Sequence, residues 1–308
     1  MRYICAQPAN QYYLWQVEVM INNFLSMGIN PNQMDILLGY DTIIPEEWSI
    51  LQQHYNTVRF FFYKDTRRDK SYIPSIYFNL MKQHILAHPE LKNETLFTHD
   101  SDIVFTKPVN FDLLAEGDTW YIADTKSYLN YDYIQQKGND IYEDMCTIVG
   151  IDKKIPKLMN SNTGGAQYIV KNTDYSFWDK VEKDSIKLYR YFCMKEPQWK
   201  GEGYPIQKWT AGMWSYIWNA WLLGNETLIS NELSFAWATS HIQELDKYSI
   251  LHNAGATEDN KDLFFKGNYI NKLPYDENLN LNLDYASYFY WEEVQRTAKV
   301  SPLHYNMV

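Results

Sequence analysis

Residues 3–105 alternate two kinds of apolar spacing, and that rhythm constrains the fold more than any other feature of the chain. Residues 3–6, 34–39 and 58–63 are short, nearly continuous apolar runs of strand length. Between the first two, residues 12–27 place Leu14, Val17, Ile21, Phe24 and Leu25 on one helical stripe. Gly28 follows where a helix stop belongs. Residues 45–54 open on Pro45, which suits a first helical turn. Residues 74–88 read as a third helix, ended by Pro89. Strand and helix in this order imply right-handed crossovers and a mostly parallel sheet. The expected fold class is α/β, with helices flanking a central sheet.

The next strand pattern, residues 94–105, contains a conflict. Leu96, Phe97, Ile103, Val104 and Phe105 favour burial. Asp100 and Asp102, with Ser101 between them, do not, because an unpaired buried carboxylate is strongly penalised. A solvated turn would resolve the conflict, and so would a divalent cation. Hard cations such as Mg²⁺ and Mn²⁺ take carboxylate oxygens and leave positions open for phosphate. In sheets of this type ligands sit beyond the carboxyl ends of the strands. That is where the pair falls.

The second half is less regular. Residues 120–123 and 249–252 read as short strands, and residues 139–149 as a helix. Residues 164–170 read as a Gly-containing loop entering a strand. Residues 174–191 form a helix with Asp174 as N-cap. Residues 209–223 form a very aromatic helix. The tail after Pro274, rich in Asn, Asp and Tyr, is expected to wrap the surface. No repeat or linker divides the chain. Residues 1–308 are expected to form one domain, with a nucleotide-sugar half (1–125) and an acceptor half (126–308).

Composition excludes some classes. A net charge of −10 lacks the basic footprint of a duplex nucleic-acid binder. No window approaches the run of roughly 18 apolar residues needed for a membrane span. The three cysteines match neither a disulfide framework nor a zinc spacing. With no N-terminal signal pattern, a reducing, cytoplasmic setting is expected. Oligomeric state is not readable.

The segment order resembles a nucleotide-sugar glycosyltransferase of the GT-A type, and more closely the hydroxyproline O-arabinosyltransferase and peptidyl serine galactosyltransferase group. Trp15-Gln16 follows the first strand. Asp100-Ser101-Asp102 occupies the metal-motif place. Asn160 to Gly164 resembles the group's Gly-Asn-Ser segment, and Trp209 to Tyr216 its Trp-x-x-Glu-Met-Tyr-x-Tyr helix. Ile250 to Gly255 is similar to its late His strand, with Lys266-Gly267 shortly after. Two departures stand out. The group's Glu falls on Gly212, and its Pro-Asp-His falls on Ser101, Asp102 and Ile103.

The resemblance implies a metal-dependent transfer from a UDP-sugar to a hydroxyl, with retention. It implies Asp100, Asp102 and His252 as ligands of Mn²⁺ or Mg²⁺, and Lys266 as the cation for the β-phosphate. Gln7, Pro8 and Ala9 leave the first strand where GT-A folds hold the base, and Tyr12 or Tyr13 would either stack on it or pack in the core or at the helix start. Arg67 and Lys70 lie beyond the third strand, where an Arg fork matches phosphate oxygens. Asn162, Gly164 and Gly165 would face the sugar or acceptor, or form a tight turn. Trp214, Trp218 and Trp221 read as core, and Trp209 as the exception able to carry a sugar. Glu202 is an acidic candidate beside the acceptor. The acceptor itself ranges over peptide, glycan, small molecule and modified nucleobase. Two other classes remain open: an inactive nucleotide- or sugar-binding protein on the same fold, and a metal-dependent phosphohydrolase.

Overall fold

The structure, a computed structural model, describes residues 1–305. The alternation expected in the first third is present. β1 (Arg2–Pro8), α1 (Gln11–Ser26), β2 (Met34–Tyr40), α2 (Glu46–His54), β3 (Arg59–Lys64) and α3 (Ser75–Ala87) follow one another. The Asn10 side chain accepts from the Tyr13 N–H and starts α1. Gly28, past its end, takes φ +87°, which costs glycine nothing.

Residues 94–105 are not one strand. β4 (Leu96–His99) and β5 (Ile103–Phe105) belong to different sheets, and Asp100-Ser101-Asp102 is the turn that joins them. Next come α4 (Asp112–Ala115), β6 (Trp120–Ile122), α5 (Lys126–Leu129), α6 (Tyr131–Lys137), α7 (Asn139–Val149) and α8 (Lys154–Leu158). They lead to β7 (Tyr168–Val170), α9 (Tyr175–Lys195) and α10 (Ala211–Leu222). Asp174 caps α9 as expected, accepting from the Phe177 N–H at 3.0 Å. β8 (Thr227–Ile229), β9 (Phe235–Trp237), α11 (Glu244–Lys247), β10 (Ile250–His252), α12 (Ala286–Ala298) and α13 (Pro302–Tyr305) complete the described chain. The central sheet has seven strands, is mostly parallel and is flanked by helices; a second sheet has three strands.

The chain divides into two interleaved units. Among the described residues, the first comprises 2–64, 99–111 and 231–305. In it β3, β2 and β1 lie side by side, all parallel. The three-stranded sheet runs β5-β10-β9, with β10 antiparallel to β5 and parallel to β9. Asn23 of α1 bonds both backbone groups of Phe105, at 2.7 and 3.0 Å, and so closes the edge of β5. The tail departs from expectation. α12 buries Ala286, Tyr290, Trp291, Val294 and Ala298 and is part of the core. Their spacing is helical; the polar composition of the tail conceals it.

The second unit comprises residues 65–98 and 112–230. Its strands run β4-β7-β6-β8, with β7 antiparallel to both neighbours and β6 parallel to β8. The core is aromatic: Tyr216 of α10 meets Trp120, Tyr168, Phe177 and Trp178 with ring centroids 4.3–6.1 Å apart. Trp214, Trp218 and Trp221 are buried, as the helical stripe implies. Among the described residues no helix is long and apolar enough to cross a membrane.

Glu18 of α1 is fully buried, where it accepts from Tyr275 Oη at 2.5 Å and Ser301 Oγ at 2.9 Å. Burial pushes its carboxyl up from 4.5 to about 7. Below pH 4.5 both folded and unfolded chains keep the proton. Between 4.5 and 7 only the folded chain keeps it, so raising the pH favours unfolding; above 7 the full cost of the buried charge is present. That cost is about 3 kcal/mol at most, at 1.36 kcal/mol per pKa unit. Glu18→Gln is therefore expected to raise the urea midpoint at pH 8 and to change it little at pH 4.5, measured by denaturation at both values.

Candidate metal centre

The ladder of the three-stranded sheet delivers the late histidine to the acidic turn. His252 pairs with Ile103 of β5, and one residue further on the Asn253 N–H donates to the Asp102 carbonyl at 2.9 Å. His252 Nε2 then lies 3.3 Å from Asp102 Oδ1 and 3.7 Å from Asp100 Oδ2. One ligand atom from each of the three residues falls within 4.8 Å of the others. Asp102 Oδ2 is engaged by the Lys266 ammonium, which leaves Oδ1 facing the imidazole. Asp102 is buried; the Asp100 side chain is 48% exposed. Ser101, between them, is buried in the turn.

Charge organises this cluster. Burial opposes ionisation of Asp102, but Lys266 and then His252 outweigh it and hold the carboxyl far below its usual range. Burial raises the Asp100 carboxyl, and the Asp102 charge raises it further. His252, Lys266 and then the Gln7 side chain, near the end of β1, work the other way. Burial lowers His252, yet Asp102 and then Asp100 outweigh it and raise the ring. Burial lowers Lys266, but Asp102 raises it, so it stays a cation. Counting Asp100, Asp102 and Lys266 as charged and His252 as neutral, the site carries one net negative charge. Two carboxylates and an imidazole with Nε2 facing both fit a borderline divalent ion such as Mn²⁺. His99 is no part of it: burial takes its pKa down to about 4, and its Nδ1–H donates to the Asp100 carbonyl at 2.9 Å.

Other residues singled out from the sequence sort clearly. Tyr12 is within electrostatic reach of Lys266 and Asp102, and its ring meets Tyr13 edge-on at 4.9 Å. The Ala9 N–H donates to the Gly39 carbonyl at 2.7 Å, and Pro8 ends β1. The remaining candidates lie in the second unit. Arg67 does not offer a free fork. It is buried, with Nε and Nη2 on Asp65 and Nη1 on Tyr72 O, Ile73 O and Ser75 Oγ, so it braces its own loop. Lys70 is ion-paired with the same Asp65 at 3.3 Å. Asn162 ends a 3₁₀ turn, and its carbonyl accepts from Thr227 Oγ1 at 2.9 Å. Glu202 is exposed, as is Trp209 at 56%. The Trp209 ring lies 5.9 Å from that of Tyr189, and its carbonyl accepts from Tyr72 Oη at 2.6 Å.

The glycines are explained by packing. A Cβ on Gly164 would lie 2.1 Å from the Ala123 carbonyl oxygen, and one on Gly165 2.5 Å from Tyr168 Oη. At Gly212 a Cβ would meet Tyr72 Oη at 2.9 Å and Phe78 at 3.0 Å. Tyr72 Oη also accepts from the Gly212 N–H at 2.9 Å. The place where the resembling group carries Glu is thus closed by a tyrosine hydroxyl and a phenyl ring. Sequence reasoning did not reach Trp237 and Phe235, whose rings pack together beside His252, or Asn253, whose buried side-chain amide has no hydrogen-bond partner in the protein. Strands of three residues carry too little periodicity to announce themselves.

No protein-family model matches the chain, and no curated protein matches it. Solved structures do. The chain is similar to WbbM, a bifunctional glycosyltransferase, at 10% identity and TM-score 0.52, over 99% of this chain and 50% of that one. It is also similar to the galactosyltransferase LgtC, at 9% identity and TM-score 0.48 over 100% of both chains. A third is the glycosyltransferase GlyE of Streptococcus pneumoniae TIGR4, at 12% identity and TM-score 0.48, over 97% of this chain and 61% of that one. The chain thus spans half the length of WbbM. At such identities the likeness to WbbM is one of fold, and that fold is the GT-A-like architecture expected from the sequence.

The contact between Gly164 and Ala123 has a direct consequence. Gly164→Ala is expected to cost about 1–3 kcal/mol, the usual penalty of an overpacked site. Urea denaturation measures it, and unchanged stability would show that the position is open.

Proposed function

We propose that this protein is a metal-dependent glycosyltransferase that moves a sugar from a UDP-sugar to a hydroxyl acceptor with retention. The convergence of Asp100, Asp102 and His252, each with a ligand atom within 4.8 Å of the others, carries this reading. The GT-A-like fold supports it. The ordered motifs from Trp15 to Lys266 favour the hydroxyproline O-arabinosyltransferase and peptidyl serine galactosyltransferase type. We infer a nucleotide sugar and a hydroxyl-bearing acceptor as substrates.

Cleavage of the sugar–phosphate bond leaves negative charge on the diphosphate. Asp100, Asp102 and His252 would hold a divalent ion, which would supply a Lewis acid for that charge, worth several kcal/mol. Lys266, kept cationic by Asp102, adds a second positive group for the phosphates. Gln7, near the end of β1, lies close enough to Asp100 to favour its ionised form. In a retaining transfer the acceptor oxygen bonds to the anomeric carbon on the face the phosphate leaves. The acceptor proton passes to the departing phosphate oxygen. No separate carboxylate base is then required, in keeping with the closed position at Gly212.

Gly212 also supports a second reading, a binding protein that has lost turnover on the same fold. The two differ in outcome: tight UDP binding without transfer or hydrolysis over a broad donor panel favours binding alone. A phosphohydrolase is disfavoured, because the described residues hold one metal-ligating cluster and not the pair of a two-metal site.

Turnover of UDP-sugars is expected to require Mn²⁺ or Mg²⁺ and to stop on chelation. Asp102→Asn is expected to lower it at least a hundredfold, followed by UDP release. Full turnover by that variant, or turnover indifferent to chelation, overturns the proposal.

A further inference from the structure

A metal-bound imidazole ordinarily donates its second ring N–H to a carboxylate, a carbonyl or water, and that bond fixes its tautomer and ring plane. No carboxylate or carbonyl of the protein does this for His252. Nε2 faces Asp100 and Asp102, while Nδ1 is buried with no hydrogen-bond partner in the protein. Something else must set the plane of the ring.

The parallel register of β9 and β10 places Trp237 directly opposite His252. The indole and imidazole planes lie within 13° of each other, with centroids 5.9 Å apart, an offset stack. Phe235, two residues earlier on the same strand face, meets the imidazole at 5.3 Å and 51°. Phe235 and Trp237 also touch each other, with centroids 4.8 Å apart, so the two rings line one side of the imidazole, and turning it about its Cβ–Cγ bond toward that side drives an edge against aromatic carbon. The strand that carries them is fixed in turn. The Trp237 N–H donates to Ser240 Oγ at 3.1 Å, and the Ala238 N–H to the Ala254 carbonyl at 3.1 Å. The Ser287 N–H, at the start of α12, donates to the Ala238 carbonyl at 3.0 Å.

We propose that Trp237, with Phe235, is the positioning element of the metal centre, holding His252 by aromatic stacking where other sites use a hydrogen bond. This inference rests on Asp100, Asp102 and His252 binding a divalent ion. It adds that affinity at the site depends on a ring that supplies no metal ligand itself. Loss of an outer partner of a ligating histidine typically weakens metal binding about 10- to 100-fold, and Trp237 is assigned an effect at the lower end of that range.

Mn²⁺ alone is the probe, titrated into the full-length protein and followed by the electron paramagnetic resonance signal of the free ion. Trp237→Leu is expected to weaken Mn²⁺ binding about tenfold. Trp237→Phe, which keeps a ring, is expected to weaken it less than threefold. The discriminating measurement repeats both substitutions in a His252→Ala background, where each is expected to change Mn²⁺ affinity less than twofold. A general structural defect lowers affinity equally in both backgrounds, and that result overturns the proposal, as does wild-type affinity in Trp237→Leu. Should Trp237→Leu fail to fold, the Trp237→Phe cycle and the ¹⁵N-histidine coupling to bound Mn²⁺ decide alone: an undiminished coupling in Trp237→Phe with equal losses in both backgrounds overturns the proposal. Wild-type protein that binds no Mn²⁺, or His252→Ala protein that binds it normally, instead sinks the metal reading itself.

Discussion

Two carboxylates held side by side in a turn between two sheets are the constraint around which this site is built. Left to themselves Asp100 and Asp102 repel, and burial of Asp102 adds to the cost. The fold offsets both effects with groups that are distant in sequence. The ladder between β5 and β10 extends through the Asn253 N–H to the Asp102 carbonyl and so carries His252 alongside. Lys266 closes the remaining oxygen of Asp102. The arrangement keeps one carboxylate fully ionised and leaves the other half-exposed and raised. A site that is short of positive charge, with open oxygen and nitrogen lone pairs, is suited to a divalent cation.

Much of the other unit is devoted to holding itself together. Gly164, Gly165 and Gly212 are small because backbone, hydroxyl and ring atoms crowd them. Arg67, attractive as a phosphate fork on paper, spends its donors on Asp65 and the backbone of its own loop. Tyr72 links Trp209 and Gly212 through one hydroxyl. That hydroxyl stands where the resembling group carries a carboxylate.

Several elements were legible before any coordinates. The stripe Leu14, Val17, Ile21, Phe24 became α1, and the apolar runs of the first third became β1, β2 and β3. Asp174 announced a helix start, and the Trp stripe of α10 announced core. Long periodic segments carry enough repeats for the pattern to exceed chance. Where the reading failed, the signal was short or masked. Residues 94–105 looked like one strand because nothing local marks a change of sheet. α12 was hidden by the Asn, Asp and Tyr around it. β9, only three residues long, carried no signal that Trp237 would lie against His252.

The sequence by itself determined the α/β alternation and the presence of an acidic pair that burial would penalise, because period and charge are local properties. Resemblance, rather than periodicity, drew attention to His252 and Lys266. Only the tertiary structure decided that these two converge on Asp102, that Arg67 turns inward, and that an indole lies nearly parallel to the His252 imidazole. Those outcomes depend on strand register and on which side chain first satisfies a donor. Register is set by the pairing of segments more than a hundred residues apart, such as β5 and β10.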